Sequence, residues 1–328
     1  MKDKKSLALF TGLALIIPLS LIIWTSCSKT PQKEHVDFLL DWKMAPPYAP
    51  YLLAKERGYY ANEGIDVTFI EGQGAETSAK LIGQGKYTVG TCNAAATAIA
   101  VDNGIPILSV AIIDQAPVTA VFSLKASNIT KPEDLIGKKL GVRYYDISHK
   151  EYLAMMKAAK VDSAKVTEIG VGFDLQPLLE KQVDALYNYA FNMPVQLKVS
   201  GYPINSILVK DYGVQGFGSN IIVNKDWANQ NPDLLSRFIR ATRKGWEDGI
   251  QQPQAAIDVL AKYYPETNTK VALAALTEEA KWVQPGDAKL LEQSVTRWQQ
   301  ALNGYHALGM IKHNLAPEDV FTTRFSGK

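Results

Sequence analysis

The sequence predicts an α/β protein of two similar lobes, with a hinge and a cleft between them and a helical C-terminal part on the first lobe. Three observations carry this. Apolar runs of strand length alternate with runs of helical period from residue 36 onward. The same pattern restarts near residue 140. After residue 224 the chain turns helical. Strands that alternate with helices indicate a parallel sheet covered by helices.

Residues 36–40 are the first expected strand, and Asp41-Trp42 end it. Residues 48–59 read as a helix, with Pro50 suited to the first turn and Gly58 near the end. Residues 65–70 alternate like a strand, and Gly72-Gln73-Gly74 form a turn. A helix over 75–82, a strand over 87–91 and a helix over 94–102 follow. Gly104-Ile105-Pro106 breaks that helix before a strand over 107–112.

The second series has strands over 140–144, 166–171 and 183–187, with helices over 148–159 and 175–181. Ile82-Gly83-Gln84-Gly85-Lys86-Tyr87-Thr88-Val89 parallels Leu178-Leu179-Glu180-Lys181-Gln182-Val183-Asp184-Ala185, a helix running into a short strand in both. Helices are expected over 233–250, 254–264, 270–282 and 288–308. Leu234, Leu235, Phe238, Ile239 and Trp246 line one face of the first of these. Such a tail must pack on something, and the first lobe serves if the chain crosses back. Residues 118–124 and 219–223 are the expected crossings, and two connecting strands make a hinge. The expected lobes are 36–120 plus 215–328, and 121–214.

Length and composition agree. At roughly 150 residues per domain, 328 residues suit about two domains. With 47% hydrophobic and 21% charged residues, the chain is not of disordered type. A formal charge of +2 is too small for a nucleic-acid binder. The excess also sits in a segment expected to be removed. Lys2, Lys4 and Lys5 precede an apolar run over 6–24, which reads as an export signal over 1–26. Without it, 32 basic and 32 acidic residues remain.

Cys27 follows the apolar run directly. The order Ile23-Trp24-Thr25-Ser26-Cys27 resembles a bacterial lipoprotein signal, although a Leu-like residue is usual where Trp24 stands. The resemblance implies cleavage before Cys27, lipidation of Cys27, and a polar tether over 27–35. The alternative is an uncleaved anchor, since about 19 apolar residues can just span a bilayer. If Cys27 is lipidated, Cys92 has no disulfide partner, and it reads as a small buried residue.

The run Asp41-Trp42, Ala49-Pro50-Tyr51, Gly58-Tyr59-Tyr60 and Glu63-Gly64-Ile65-Asp66-Val67 is joined by four further blocks. These are Gly72-Gln73-Gly74, Gly104-Ile105-Pro106, Pro132-Glu133-Asp134-Leu135-Ile136-Gly137-Lys138 and Val183-Asp184-Ala185. Together they resemble the periplasmic binding proteins for thiamine-pyrimidine precursors, alkanesulfonates and nitrate. The resemblance covers about residues 36–328. It implies a two-lobe type II periplasmic binding protein fold and no catalysis. It also implies delivery of a small solute to the permease and ATPase subunits of an ABC importer. The location implied is the cell envelope, outside the cytoplasmic membrane, for a lipid-anchored monomer. Two departures fall at helix–strand turns: Thr88 where Asp is frequent, and Lys181 where Gly is usual.

In open α/β sheets, ligands sit beyond the carboxyl ends of the strands. That rule selects Asp41 and Trp42, an acceptor beside a stacking surface. Tyr48 opens the next helix and faces the same side. Asn93, at a strand end and helix start, can donate and accept. Tyr144, Tyr145 and Ser148 follow the first strand of the second lobe. Alternation along the strand leaves only one of the two tyrosines facing the ligand. Asn188, Tyr189 and Asn192 follow residues 183–187. Asp174 is a second carboxylate or a helix cap.

This aromatic set suits a small planar nitrogen heterocycle such as a thiamine pyrimidine precursor. Arg143 is the one arginine between Arg57 and Arg237, and it favours the alternative, an aliphatic sulfonate or other anion. Relatives of this fold make the thiamine pyrimidine by consuming their own cofactor and a histidine. That activity implies a cysteine-rich segment, which this chain lacks. A sensor domain is the third possibility. No cofactor is expected. His35, His149, His306 and His313 are too scattered for a metal site.

Overall fold

The computed structural model describes residues 33–285 and 289–325. The expected signal segment and Cys27 lie outside the described residues. Among the described residues, ten strands form two five-stranded mixed sheets. They are β1 (Glu34–Leu39), β2 (Ile65–Ile70), β3 (Val89–Asn93), β4 (Ile107–Ile112), β5 (Thr119–Leu124), β6 (Lys139–Val142), β7 (Thr167–Gly170), β8 (Ala185–Tyr189), β9 (Ile204–Leu208) and β10 (Ser219–Asn224). The first sheet runs β2-β1-β3-β10-β4 and the second β7-β6-β8-β5-β9.

Each sheet has a parallel part built from strand–helix–strand units. β1 pairs in parallel with β2 and β3, and β6 with β7 and β8. Each also has one antiparallel strand inserted between two others. β10 lies between β3 and β4, and β5 between β8 and β9. The two segments expected as free crossings are therefore interior strands. Their apolar side chains are buried from both faces, which fits a central strand better than a connector. The actual crossings are residues 113–118 and 209–218. Asp114 ties them together: its backbone oxygen accepts from Gly218 N at 3.0 Å, and its Oδ2 accepts from Ser219 N at 3.0 Å.

Several boundaries move. Glu34 and His35, expected in the tether, are already strand, pairing with Ile65 and Asp66 of β2. β5 spans the expected lobe limit at residue 120 and belongs wholly to the second sheet. The last long helix is Val295–Ala307, not 288–308. Leu291 has φ of 63° and bridges to Ile112, and Ser294 caps the helix by accepting from Arg297 N. The helix Met193–Val199 and β9 lay in a stretch left unassigned by periodicity.

The internal parallel is closer than its sequence identity. Gly85 has φ of 73° and Lys181 has φ of 58°. Gly85 N donates to Ile82 O, and Lys181 N to Leu178 O. Lys86 N then donates to Leu81 O, and Gln182 N to Pro177 O. Both helices thus stop with the same left-handed turn, at the C′ position where helices favour glycine. Lys181 adopts it at some strain, because its Cβ crowds the following carbonyl.

The C-terminal helices cover the first sheet. Pro232–Gln251 buries Leu234, Leu235, Phe238, Ile239 and Trp246 in one core with Phe38, Tyr51 and Tyr60. Phe38 meets Phe238 edge-on at 5.2 Å and Tyr51 at 5.1 Å. Trp298, on Val295–Ala307, stacks on Phe321 in a second core under the same sheet. The helix Thr269–Val283 also packs against Met193–Val199 on the second-sheet side. No helix among the described residues is long and apolar enough to cross a membrane.

Candidate functional site

A cavity of about 840 Å³ opens between the two sheets. Its walls are loops at strand ends, which is where each element points its C-terminal residues. Asp41 and Trp42 lie just past β1. The Gly72-Gln73-Gly74 turn rests on them: Gly74 N donates to Asp41 O at 2.7 Å, and Gly72 N to Trp42 O at 3.2 Å. A Cβ on Gly72 would meet Leu40 O at 2.0 Å, so only glycine permits this approach.

Asp41 is fixed from three sides. Its N–H donates to Thr91 Oγ1 at 2.8 Å. Its Oδ1 accepts from Tyr48 OH at 2.9 Å and from Thr91 Oγ1 at 2.5 Å. Oδ2 has no hydrogen-bond partner among the described residues. Burial, and next the Asp41 carboxylate, hold the Tyr48 hydroxyl well above its ordinary pKa, so it stays a donor. Burial does the same for Tyr189, with Asp41 the next cause.

The opposite wall comes from the second sheet. Arg143 follows β6 and is largely buried. Its Nε donates to Asp146 Oδ2 at 3.1 Å and its Nη2 to Tyr187 O at 2.8 Å. Its guanidinium lies 4.5 Å from the Phe173 ring centroid and 4.9 Å from that of Tyr187. Nη1 is buried without a partner. Side-chain contacts also cross the cleft. The Trp42 and Phe173 rings are 4.7 Å apart, and Lys150 Nζ donates to Glu76 Oε1 at 2.5 Å.

Of the residues selected from sequence, Asp41, Trp42, Tyr48, Tyr144, Tyr145, Ser148, Asn188, Tyr189 and Asn192 line this cavity. Two do not. Asn93 is buried, and its Oδ1 is consumed in capping the helix Ala94–Asp102, accepting from Ala95 N at 2.8 Å and Ala96 N at 3.3 Å. Its Nδ2 donates to Glu151 Oε1 at 3.5 Å. Asp174 is exposed, and its Oδ1 accepts from Gln176 N at 3.0 Å just ahead of a short helix whose N-cap is Leu175. The alternation argument for Tyr144 and Tyr145 also fails, because β6 ends at Val142. Both tyrosines lie in the loop beyond it. Tyr144 packs edge-on against His149 at 5.5 Å, while Tyr145 is 97% exposed at the mouth.

The sequence reading missed Phe173, Thr91, Trp246 and Glu279, all on the cavity wall. Phe173 follows β7 and meets the same strand-end rule that selected Tyr144. Trp246 and Glu279 belong to remote helices, where no local pattern marks them. Cys92 is buried and its Sγ donates to Ala75 O at 3.4 Å, with burial pushing its thiol pKa up. It is a packing residue.

Two mixed sheets linked by two crossings, with a polar and aromatic cavity between them, define the class: this is the periplasmic binding protein fold. The alkanesulfonate-binding protein SsuA of Xanthomonas axonopodis pv. citri, solved with MOPS bound, shares it with a TM-score of 0.66 at 13% identity, over 88% of this chain and 98% of that one. The chain belongs to the NMT1/THI5-like family, whose profile matches residues 45–256. Among its relatives, the riboflavin-binding protein RibY of Chloroflexus aurantiacus is 28% identical over 85% of this chain and 77% of its own. The formylaminopyrimidine-binding protein of Halalkalibacterium halodurans is 24% identical over 97% of this chain and 99% of its own. The 4-amino-5-hydroxymethyl-2-methylpyrimidine phosphate synthase of Uromyces fabae is 27% identical over 72% of this chain and 73% of its own.

Proposed function

We propose that this chain is the solute-binding component of an ABC importer and captures a small planar nitrogen heterocycle, of the kind represented by thiamine pyrimidine precursors. The observation that carries this is the cavity wall around Asp41. A fixed carboxylate with one unengaged oxygen stands beside the Trp42 indole, with Tyr48 and Tyr189 held as neutral hydroxyls. A flat ring stacks on the indole while its amino group donates to Asp41 Oδ2. The volume lies within the range of roughly 300–1,000 Å³ usual for small-molecule sites. Two relatives named for binding nitrogen heterocycles support the same ligand class.

Capture works by closure. Residues 34–112 with 219–325 act as one lobe and 119–208 as the other, turning on the two crossings. Trp42–Phe173 and Lys150–Glu76 meet only when the lobes are together, so a ligand that adds contacts to both walls favours the closed form. The protein acts as a monomer outside the cytoplasmic membrane, tethered through lipid on Cys27, and presents the closed form to the permease. It catalyses no reaction. No histidine lines the cavity among the described residues, and the Cys92 thiol is buried. Mass spectrometry of whatever co-purifies under native conditions tests the reading. A bound pyrimidine or flavin supports it, and an alkanesulfonate overturns it.

One observation favours that second reading. Arg143 Nη1 is buried without a partner among the described residues, on the cavity wall, and would suit an anionic oxygen.

A further inference from the structure

Among the described residues, three buried polar atoms on the cavity wall have no partner at hydrogen-bond geometry, Arg143 Nη1, Trp246 Nε1 and Glu279 Oε2, although the Trp246 N–H still acts on the Tyr51 hydroxyl. The last two sit on the first-sheet side, on the helices Pro232–Gln251 and Thr269–Val283. Each of those two residues is 1% exposed. Buried polar groups are almost always hydrogen-bonded, so a donor and an acceptor left open in one wall require explanation. Tyr51, edge-on to Trp246 at 5.6 Å, and Ser219 complete this part of the lining.

We propose that this floor of the cavity is a second recognition subsite, for a ring edge that donates and accepts side by side, as an amidine or lactam edge does. The inference rests on the heterocycle reading above and adds the residues that choose among heterocycles. No lysine or arginine pairs with Glu279 among the described residues. The charged group that acts on it is another buried carboxyl, Asp114, on the crossing between the sheets. Burial, then Asp114, push the Glu279 carboxyl well above its usual range. Asp114 itself is pushed up to about 7, chiefly by burial. Glu279 therefore stands as a neutral acid at pH 7. A neutral acid has one O–H to give and one carbonyl oxygen to accept with. That is the complement of an N=C–NH₂ edge, or of an N–H next to C=O. The Trp246 indole supplies one further donor for an adjacent ring acceptor.

The test follows the indole ¹⁵N–H resonances of Trp246 and Trp42, assigned with Trp246→Phe and Trp42→Phe, with 2-aminopyrimidine as the probe and unsubstituted pyrimidine as control. The aminopyrimidine is expected to move both signals. Pyrimidine itself should need at least tenfold more for the same Trp246 shift. Glu279→Gln keeps a donor and an acceptor and should retain the response, whereas Glu279→Leu should abolish it at Trp246. Glu279→Met carries the same expectation if the leucine variant does not fold. If the Trp42 signal moves and Trp246 does not, the subsite is wrong and the cleft reading stands. A Trp246 response unchanged in Glu279→Leu also overturns the subsite. If neither signal moves, both readings fall.

Discussion

Trp42, just past β1, and Phe173, just past β7, touch across the mouth of the cleft, their ring centroids 4.7 Å apart and their planes tilted by 45°. Phe173 lies in turn on the Arg143 guanidinium at 4.5 Å. The two sheets thus meet through an indole, a phenyl ring and a cation in series. An aromatic pair contributes about 0.5–1.5 kcal/mol beyond its buried area. Trp42→Ala loses both this contact and the stacking surface, so binding of a pyrimidine should weaken about tenfold or more. Titration calorimetry checks it. An alanine variant that binds as well as the wild type would move the site elsewhere.

Asp41→Asn distinguishes ligand classes by sign. A ligand that donates from an amino group to Oδ2 should bind less well, because a charge-assisted acceptor becomes a neutral one. An anionic ligand should bind better, because a repulsive carboxylate is gone. Calorimetry of the variant with a panel of pyrimidines and alkanesulfonates reads the sign directly.

Arg143→Met removes the cation but keeps part of the stem over Phe173. On the heterocycle reading, a neutral pyrimidine should bind within about threefold of wild type, less than the tenfold that 1.4 kcal/mol represents. A loss of about tenfold or more would assign an anionic or strongly accepting group to Nη1.

Glu151 predicts a pH dependence of stability. It is buried, and burial pushes its carboxyl up to about 7 from an ordinary 4.5, against the lowering effect of hydrogen bonds from Thr119 and Asn93. Between those values the folded chain holds a proton that the unfolded chain has released. Stability should therefore fall as pH rises from about 4.5 to about 7, by up to about 1.4 kcal/mol per pH unit from this group. Glu151→Gln should flatten that slope. Urea denaturation at a series of pH values measures both, and an unchanged slope in the variant would refute the assignment.

Cys27→Ser should leave the protein unlipidated, released from the membrane or misprocessed. Intact-mass analysis of the membrane fraction checks it, and a membrane-bound wild type with an unmodified Cys27 would contradict the anchoring proposal.

Much of this protein could be read from local pattern. β2 and β4 and the helix Ala94–Asp102 occur where periodicity put them, because alternation and glycine–proline breaks are short-range signals. The strand-end rule brought Asp41, Trp42 and Tyr189 to one cavity for the same reason: which end of a parallel strand faces the ligand follows from chain direction alone. What tertiary structure decided is whatever depends on distant partners. β5 and β10 read as connectors, yet they are interior strands, since an apolar extended run looks alike in either role and only its neighbours differ. Asn93 is a different case: its oxygen goes to the Ala95 and Ala96 N–H groups two and three residues on, a local cap that the ligand reading overlooked. Trp246 and Glu279 sit on helices far along the chain. Nothing in their own segments marks a ligand, and they reach the cavity only because Pro232–Gln251 and Thr269–Val283 fold back over the first sheet. Hydrophobic burial drives that return, and it brings a carboxyl and an indole to the cavity wall that local sequence pattern could not assign there.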